Sequence, residues 1–275
     1  MSKLPLTNEQ LKTLAPSIFA TEPYHIVSDR YTYISTEKIL NIMRSHGWLP
    51  VDAFENKVRL EDKQNYQKHL IVLQNFSSFL MEEENVPQLI LSSAHDTSAC
   101  VELRLGVWRM ICKNGIILAD TLMQAHKIKH IGFCETDVST AIKETVSYLP
   151  LLEERINTYK NIQLSSVEEL AFAKAAASLR FDVDTLDIDH NSMLVVRRNG
   201  DIGNDLWRVF NRIEESCQRG GIKGKNRITH RNFTSKAIQS IDSGLQIGEK
   251  LFSLADKIAN IKVQSQTQQP LMMAA

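Results

Sequence analysis

Residues 88–105, QLILSSAHDTSACVELRL, decide the fold of the first half of the chain. Two apolar segments flank the turn-forming residues 95–98 (HDTS), and this is the pattern of a β-hairpin. In the second arm, residues 101–105 (VELRL), apolar side chains alternate with Glu102 and Arg104. We therefore expect a strand with one buried face and one wet face, paired antiparallel to the strand before it.

Neighbouring segments extend this hairpin into a larger sheet. Residues 48–60 and 68–75 have strand-like patterns, and residues 107–118 continue the pattern beyond the hairpin. Ser35 is placed to cap a helix that stops at Gly47. The first half of the chain is thus predicted to form an antiparallel β-meander.

The second half of the chain is predicted to be helical. After residue 136 apolar residues recur at helical spacing, and Ser166 with Glu169 fits a capping box. Strands followed by helices indicate an α+β fold, with an antiparallel meander or hairpin sheet in the N-terminal half and a helical C-terminal half. We predict an antiparallel α+β region over residues 1–134, a helical region packed on it over 135–262, and a disordered tail over 263–275. The same pattern is compatible with a single domain.

Composition limits the classes of function. The chain has 32 Lys and Arg and 32 Asp and Glu, so its formal charge is zero. Binding to nucleic acid or to a membrane must therefore come from a local cluster of charge. There is no apolar run of about 18 residues, no signal-peptide core and no nucleotide-binding fingerprint. We predict a cytoplasmic protein with no membrane partner and no cofactor, and the four scattered cysteines agree with a reducing compartment.

One segment breaks the neutral charge pattern. Between Glu215 and Asp242 there is no acidic residue, whereas residues 219–236 hold six cations and three glycines. A basic, Gly-containing loop is typical of a surface that holds phosphate through side chains and backbone amides. The alternative is a solvated loop whose charge balances acidic neighbours. The predicted nucleic-acid-binding residues are Arg219, Lys223, Lys225, Arg227, Arg231 and Lys236, with Arg30, Tyr31 and Arg109 as a second surface.

A second candidate site lies in the hairpin turn. His95 and Asp96, together with His69, are residue types that hold metal ions or exchange protons. The alternative is a structural turn in which Asp96 bonds to its own backbone. The acidic segment 182–190 lacks the glycine and the terminal glutamate of a calcium loop and is predicted to be solvated. On these patterns we assign no catalytic residue and no metal ligand.

Three longer motifs resemble a known family. They are SDRYTYISTEKIL (28–40), AHDTSACVELRLGVWRMICKNGI (94–116) and NDLWRVFNRIEESCQRGGIKGKN (204–226). From Leu6 to Leu254 the chain resembles the prophage- and plasmid-encoded family known as domain of unknown function 932. The resemblance implies carriage on mobile genetic elements, often near recombination genes, and it supplies no established activity and no catalytic residue. Thr97 departs from the family pattern, which has glycine at that position of the turn.

These observations favour one function and leave two alternatives open. The favoured function is that of a nucleic-acid-binding accessory factor, acting on single-stranded or locally opened DNA in recombination, replication or maintenance of a mobile element. The first alternative is a metal-assisted nuclease or other hydrolase, which requires His69, His95 and Asp96 to converge in one concave pocket. The second is a protein-interaction factor that acts on host machinery. Self-association is compatible with each of them.

Overall fold

The structure, a computed structural model, describes residues 4–25, 32–76, 86–108, 126–128 and 134–272. Contacts between Cα atoms divide the chain into two compact units. Unit 1 contains Met1–Leu149 and Gln239–Asp242, and unit 2 contains Pro150–Ile238 and Ser243–Ala275. None of the helices within the described ranges is both long enough and apolar enough to span a bilayer.

Unit 1 is built around an antiparallel sheet. Over the described residues the sheet has five strands, and each strand pairs with its neighbour in the sequence. This order confirms the predicted β-meander. The elements are α1 (Asn8–Leu14), α2 (Thr36–Ser45), β1 (Trp48–Glu55), β2 (His69–Asn75), β3 (Val86–Ser93), β4 (Val101–Trp108), β5 (His126–Ile128) and α3 (Glu135–Ser147).

The predicted hairpin is formed by β3 and β4, with Leu91 opposite Leu103. The expectation that one face of β4 is wet was wrong, because the side chains of Glu102 and Arg104 are only 11% and 16% exposed. Arg104 Nη2 donates to Glu102 Oε2 over 2.8 Å, and this charged hydrogen bond compensates for the hydration that both groups lose.

Local signals set the ends of α2 and the hairpin turn. The Ser35 hydroxyl accepts a hydrogen bond from the Lys38 amide over 3.3 Å, which confirms the predicted N-cap. Gly47 follows the helix with a φ of 80°, a conformation that glycine adopts without strain. In the hairpin turn Thr97 has a φ of 66°. A β-branched side chain is strained in this left-handed region, whereas glycine, the residue of the family pattern, is not.

The second half of the chain consists mainly of helices, which confirms the α+β class. Its elements are α4 (Leu149–Asn161), α5 (Ser166–Arg180), β6 (Leu186–Ile188), α6 (Leu206–Arg219), β7 (Lys223–Asn226), β8 (Asn232–Thr234) and α7 (Ile241–Met272). The capping box of α5 is formed by Ser165 and Glu168, one residue earlier than predicted, because the sequence SSVEE satisfies the spacing twice.

Two predicted boundaries differ from the element bounds. Helix α7 continues to Met272, whereas a disordered tail was expected from residue 263, and the glutamines of this segment are good helix formers. Helix α3 packs against β4 and β5 and is part of unit 1. The division into regions 1–134 and 135–262 stays a prediction.

The basic segment is not a loop but a β-hairpin. Strands β7 and β8 pair antiparallel, and β6 pairs with the other edge of β7, giving the order β6-β7-β8. Strand β6 comes from the acidic segment 182–190, so Asp187 lies opposite Lys225. Short polar strands with glycine carry no alternating apolar pattern, which is why their sequence indicated a loop.

Helix α6 forms the core of unit 2. Trp207 and Phe210 stack with ring centroids 5.7 Å apart, and Phe210 meets Phe252 of α7 edge-on at 5.6 Å. The helix begins with an N-cap at Asp205 and ends at Gly220, whose φ of 82° suits a helix stop. Every residue from Leu206 to Gln218 except Arg208 is buried, so the polar side of this helix is covered as well as its apolar side.

Candidate functional site

Residues 223–234, which we call the basic hairpin, present one polar face to solvent. Lys223 and Lys225 alternate with Gly224 along β7, and both lysines are exposed. Gly224 lies on the opposite face against Phe233, where an added Cβ would stand only 2.6 Å from the ring. Because partners across a strand pair share a face, Asn232 opposite Lys225 joins the lysines on the solvent side. The face therefore combines two ammonium groups with the Asn232 amide, and the Asp187 carboxylate borders it opposite Lys225.

Both ends of the basic hairpin are fixed to the rest of unit 2. The Lys223 amide donates to Ser192 Oγ over 3.0 Å, and the Asp189 amide donates to the Lys223 carbonyl over 2.9 Å. After β8 the chain returns across Gly220, where an added Cβ would lie 2.6 Å from the Ser235 carbonyl oxygen. Glycine is thus needed at this position both for its φ and for the close approach of the returning backbone.

The ionic partners of the six predicted cations differ. Arg219 donates to Glu215 over 3.2 Å and forms an ion pair with that carboxylate. Arg227 lies 3.9 Å from Asp187, and both side chains are more than half exposed, so this contact is weak. The other four are exposed, and within the described residues none of them has a carboxylate partner: Lys223, Lys225, Arg231 and Lys236.

Acidic side chains border the basic hairpin on the β6 side. Asp182, Asp184, Asp187 and Asp189 are all exposed there. Asp182 bonds to Thr185, which lowers the pKa of this carboxyl, and Asp189 accepts from the Asn191 amide. An anion is consequently repelled from the β6 edge and attracted to the β7–β8 side.

A buried ionic network under the hairpin was not predicted from the sequence. Glu215 is only 2% exposed and accepts from Arg198 over 3.1 Å as well as from Arg219. Arg197 donates to the Ser216 hydroxyl over 2.6 Å on the same helix. The sequence signals for this network are two pairs of adjacent charges, the arginines at 197 and 198 and the glutamates at 214 and 215. Such pairs are equally typical of a solvent-exposed surface. The network anchors α6, from whose end the basic hairpin emerges.

Two of the three side chains that the hydrolase alternative requires come together. Thr36 Oγ1, at the N-terminus of α2, lies 2.9 Å from His69 Nε2 and 3.2 Å from His95 Nε2. Both imidazoles are fully buried, and their centroids are 5.2 Å apart. Burial and, to a smaller extent, the neighbouring His95 together lower the pKa of His69 to about 3. His69 is therefore a neutral imidazole inside the core.

Asp96 does not join this pair. Its Oδ1 accepts from the Ser98 amide over 3.1 Å, which confirms the structural-turn interpretation, and its Oδ2 lies 3.5 Å from Lys63 Nζ. The described part of the chain contains no group of three His, Cys, Asp or Glu side chains that could hold a metal ion. The concave, three-residue site that the hydrolase alternative requires is not formed by His69, His95 and Asp96.

Three predicted residues lie outside the described residues. They are Arg30, Tyr31 and Arg109, the proposed second contact surface.

Comparison with known proteins identifies the family. The model of the family "Domain of unknown function (DUF932)" matches residues 23–269. The chain is similar to the UPF0380 proteins YafZ and YfjQ of Escherichia coli (strain K12), each 28% identical over 254 residues, which is 92% of this chain and 92% of the relative. No solved structure matches the chain. Because the family model covers most of the sequence, the chain belongs to the DUF932 family, as its motifs indicated.

Proposed function

We propose that the basic hairpin binds nucleic acid, and single-stranded or locally opened DNA in particular. The observation that carries this proposal is the exposure of four cations without a described carboxylate partner: Lys223, Lys225, Arg231 and Lys236. Arg219 is left out of the contact set because its guanidinium already lies 3.2 Å from the Glu215 carboxylate.

The chemistry of the hairpin suits a phosphodiester backbone. Lysine and arginine neutralise the charge of phosphate. Asn232 on the same face adds an uncharged hydrogen-bond donor for phosphate oxygens. The acidic β6 edge restricts the path of the strand to the β7–β8 side. Such contacts are made to phosphate, so they carry little sequence preference by themselves.

The same proposal extends to the setting of the protein. DNA binding by a member of a prophage- and plasmid-encoded family fits an accessory role in recombination, replication or maintenance of a mobile element. This role is inferred from the family resemblance and not from any catalytic group. It needs no enzymatic activity of the chain itself.

A salt titration tests the proposal. Affinity for fluorescein-labelled single- and double-stranded oligonucleotides is measured by fluorescence polarisation between about 50 and 200 mM salt. If four phosphates are neutralised on a single strand, log affinity should fall against log salt with a slope of about −3. In the variant Lys223→Gln/Lys225→Gln/Arg231→Gln the slope should shrink to about −1.

A matched control separates the hairpin from overall charge. The variant Lys57→Gln/Lys143→Gln/Lys174→Gln removes the same number of exposed charges elsewhere, and it should bind like the unmodified protein. Equal losses in the two variants, or an affinity that does not depend on salt, would remove the basis of the proposal.

A further inference from the structure

The tip of the basic hairpin carries an apolar side chain. Ile228 is 74% exposed, and it stands in the five-residue turn between β7 and β8 with Arg227 and Arg231 on either side of it in the chain. A single exposed apolar residue is common on protein surfaces and by exposure alone indicates nothing. What distinguishes Ile228 is the way in which its backbone is held.

The turn is fixed at its root by the side chain of one residue. Asn226 Oδ1 accepts from the Ile228 amide over 2.9 Å and from the Thr229 amide over 2.8 Å. The Asn226 amide in turn donates to the Arg231 carbonyl over 2.9 Å. On the other side the Arg227 amide donates to the Thr185 carbonyl over 2.9 Å. The tip is therefore a shaped protrusion and not a loose loop.

An apolar side chain on a hydrogen-bonded turn, with an arginine before it and after it in the chain, is suited to enter a stack of bases. Isoleucine is branched at Cβ, so its χ1 has little freedom, and little side-chain entropy is lost when it is inserted. Proteins that unstack DNA use such apolar wedges, with neighbouring cations on the phosphates. In this geometry Arg227 and Arg231 would contact the backbone on either side of the opened step.

We propose that Ile228 is a wedge that inserts between adjacent bases when the basic hairpin binds DNA. This inference rests on the proposed function and names its substrate more closely: DNA with a step that is already unstacked, such as a mismatch, a bulge or a fork. Perfect duplex binds less well, because unstacking must then be driven by the protein. A membrane surface is the less suitable partner, since one isoleucine offers little apolar area for insertion among the polar side chains of the turn.

The test uses the full chain and a duplex that carries 2-aminopurine beside a single mismatch. Polarisation gives the affinity, and the rise in 2-aminopurine fluorescence reports unstacking. The unmodified protein and Ile228→Leu should prefer the mismatched duplex and raise the fluorescence. Ile228→Ser should lose about tenfold of that preference, a change of about 1.4 kcal/mol, together with the fluorescence rise. It should keep the affinity for single strands and their salt slope.

The outcomes separate the wedge from the DNA proposal. If Ile228→Ser keeps both the mismatch preference and the fluorescence rise while the Lys223/Lys225/Arg231 variant loses affinity, the wedge is refuted and DNA binding stands. If the unmodified protein binds none of these oligonucleotides, both proposals fail. Binding to vesicles of phosphatidylserine and phosphatidylcholine that is lost in Ile228→Ser, without DNA binding, would assign the tip to membranes and overturn the wedge. Since Ile228 is exposed, Ile228→Ser should unfold at the same temperature as the unmodified protein.

Discussion

The buried histidine pair makes the stability of unit 1 depend on pH in a calculable way. Inside the fold the pKa of His69 is lowered to about 3, whereas in the unfolded chain a histidine titrates near about 6.5. The contribution of neutral His69 to stability is therefore fully present above about pH 6.5. It decreases as the pH falls below that value and is fully lost near pH 3. At pH 4.5 the unfolded state gains about 3 kcal/mol from protonation of His69 alone. The positive end of the α2 dipole, at Thr36, adds to the reasons why the imidazole stays neutral.

The variant His69→Gln isolates this contribution. Urea unfolding is measured at pH 7 and at pH 4.5 for both proteins, and the loss of stability on acidification is compared. Carboxylates titrate in both proteins, so the difference between the two losses reports on His69 together with its coupling to His95. We expect the loss in His69→Gln to be smaller by about 3 kcal/mol.

Two results would refute this reasoning. One is equal acid destabilisation of the two proteins. The other is an NMR titration in which the His69 ring, identified by its absence from the spectrum of the variant, is protonated near pH 6.5 in the folded state.

Two further predictions concern backbone strain and the buried ionic network. Thr97→Gly should stabilise the protein by up to about 1.5 kcal/mol, because relief of the left-handed conformation is worth about 1–2 kcal/mol and the greater backbone entropy of glycine in the unfolded chain costs about 0.5–1 kcal/mol. Thr97→Ala should give no gain in the same urea titration, and a gain as large as that of glycine would contradict the strain. Arg198→Ala should destabilise by about 1.5–3 kcal/mol because it removes a buried charged hydrogen bond to Glu215, whereas Arg219→Ala, at the exposed end of the same carboxylate, should cost less than about 1 kcal/mol. Similar losses for the two arginines in thermal unfolding would be inconsistent with this difference in burial.

Much of the fold could be predicted because its signals are local. The alternation in residues 101–105 and the turn before it specified the β3–β4 hairpin, and Ser35 specified the start of α2. The end of α2 at Gly47 was likewise visible, since a helix stop with positive φ favours glycine. Each of these signals depends on a few neighbouring residues.

What could not be predicted depends on partners distant in the chain. Strand β7 becomes a strand because Asp187 and its neighbours, almost forty residues earlier, supply the adjacent edge. The burial of Glu215 depends on Arg198, and the shared hydroxyl of Thr36 joins His69 to His95 only after the sheet has formed. The cations of the candidate site were identifiable by charge alone, but the ion pair between Arg219 and Glu215 was not.

The close packing of the returning backbone against Gly220, at the base of the basic hairpin, affects how a ligand binds. With the returning backbone pressed onto Gly220 and the first strand bonded to Ser192, the protrusion is tied down before any encounter takes place. The binding surface is therefore preorganised, and complex formation costs little conformational entropy of the chain. Encounter frequency is then governed by diffusion and by attraction between opposite charges, without a slow ordering step.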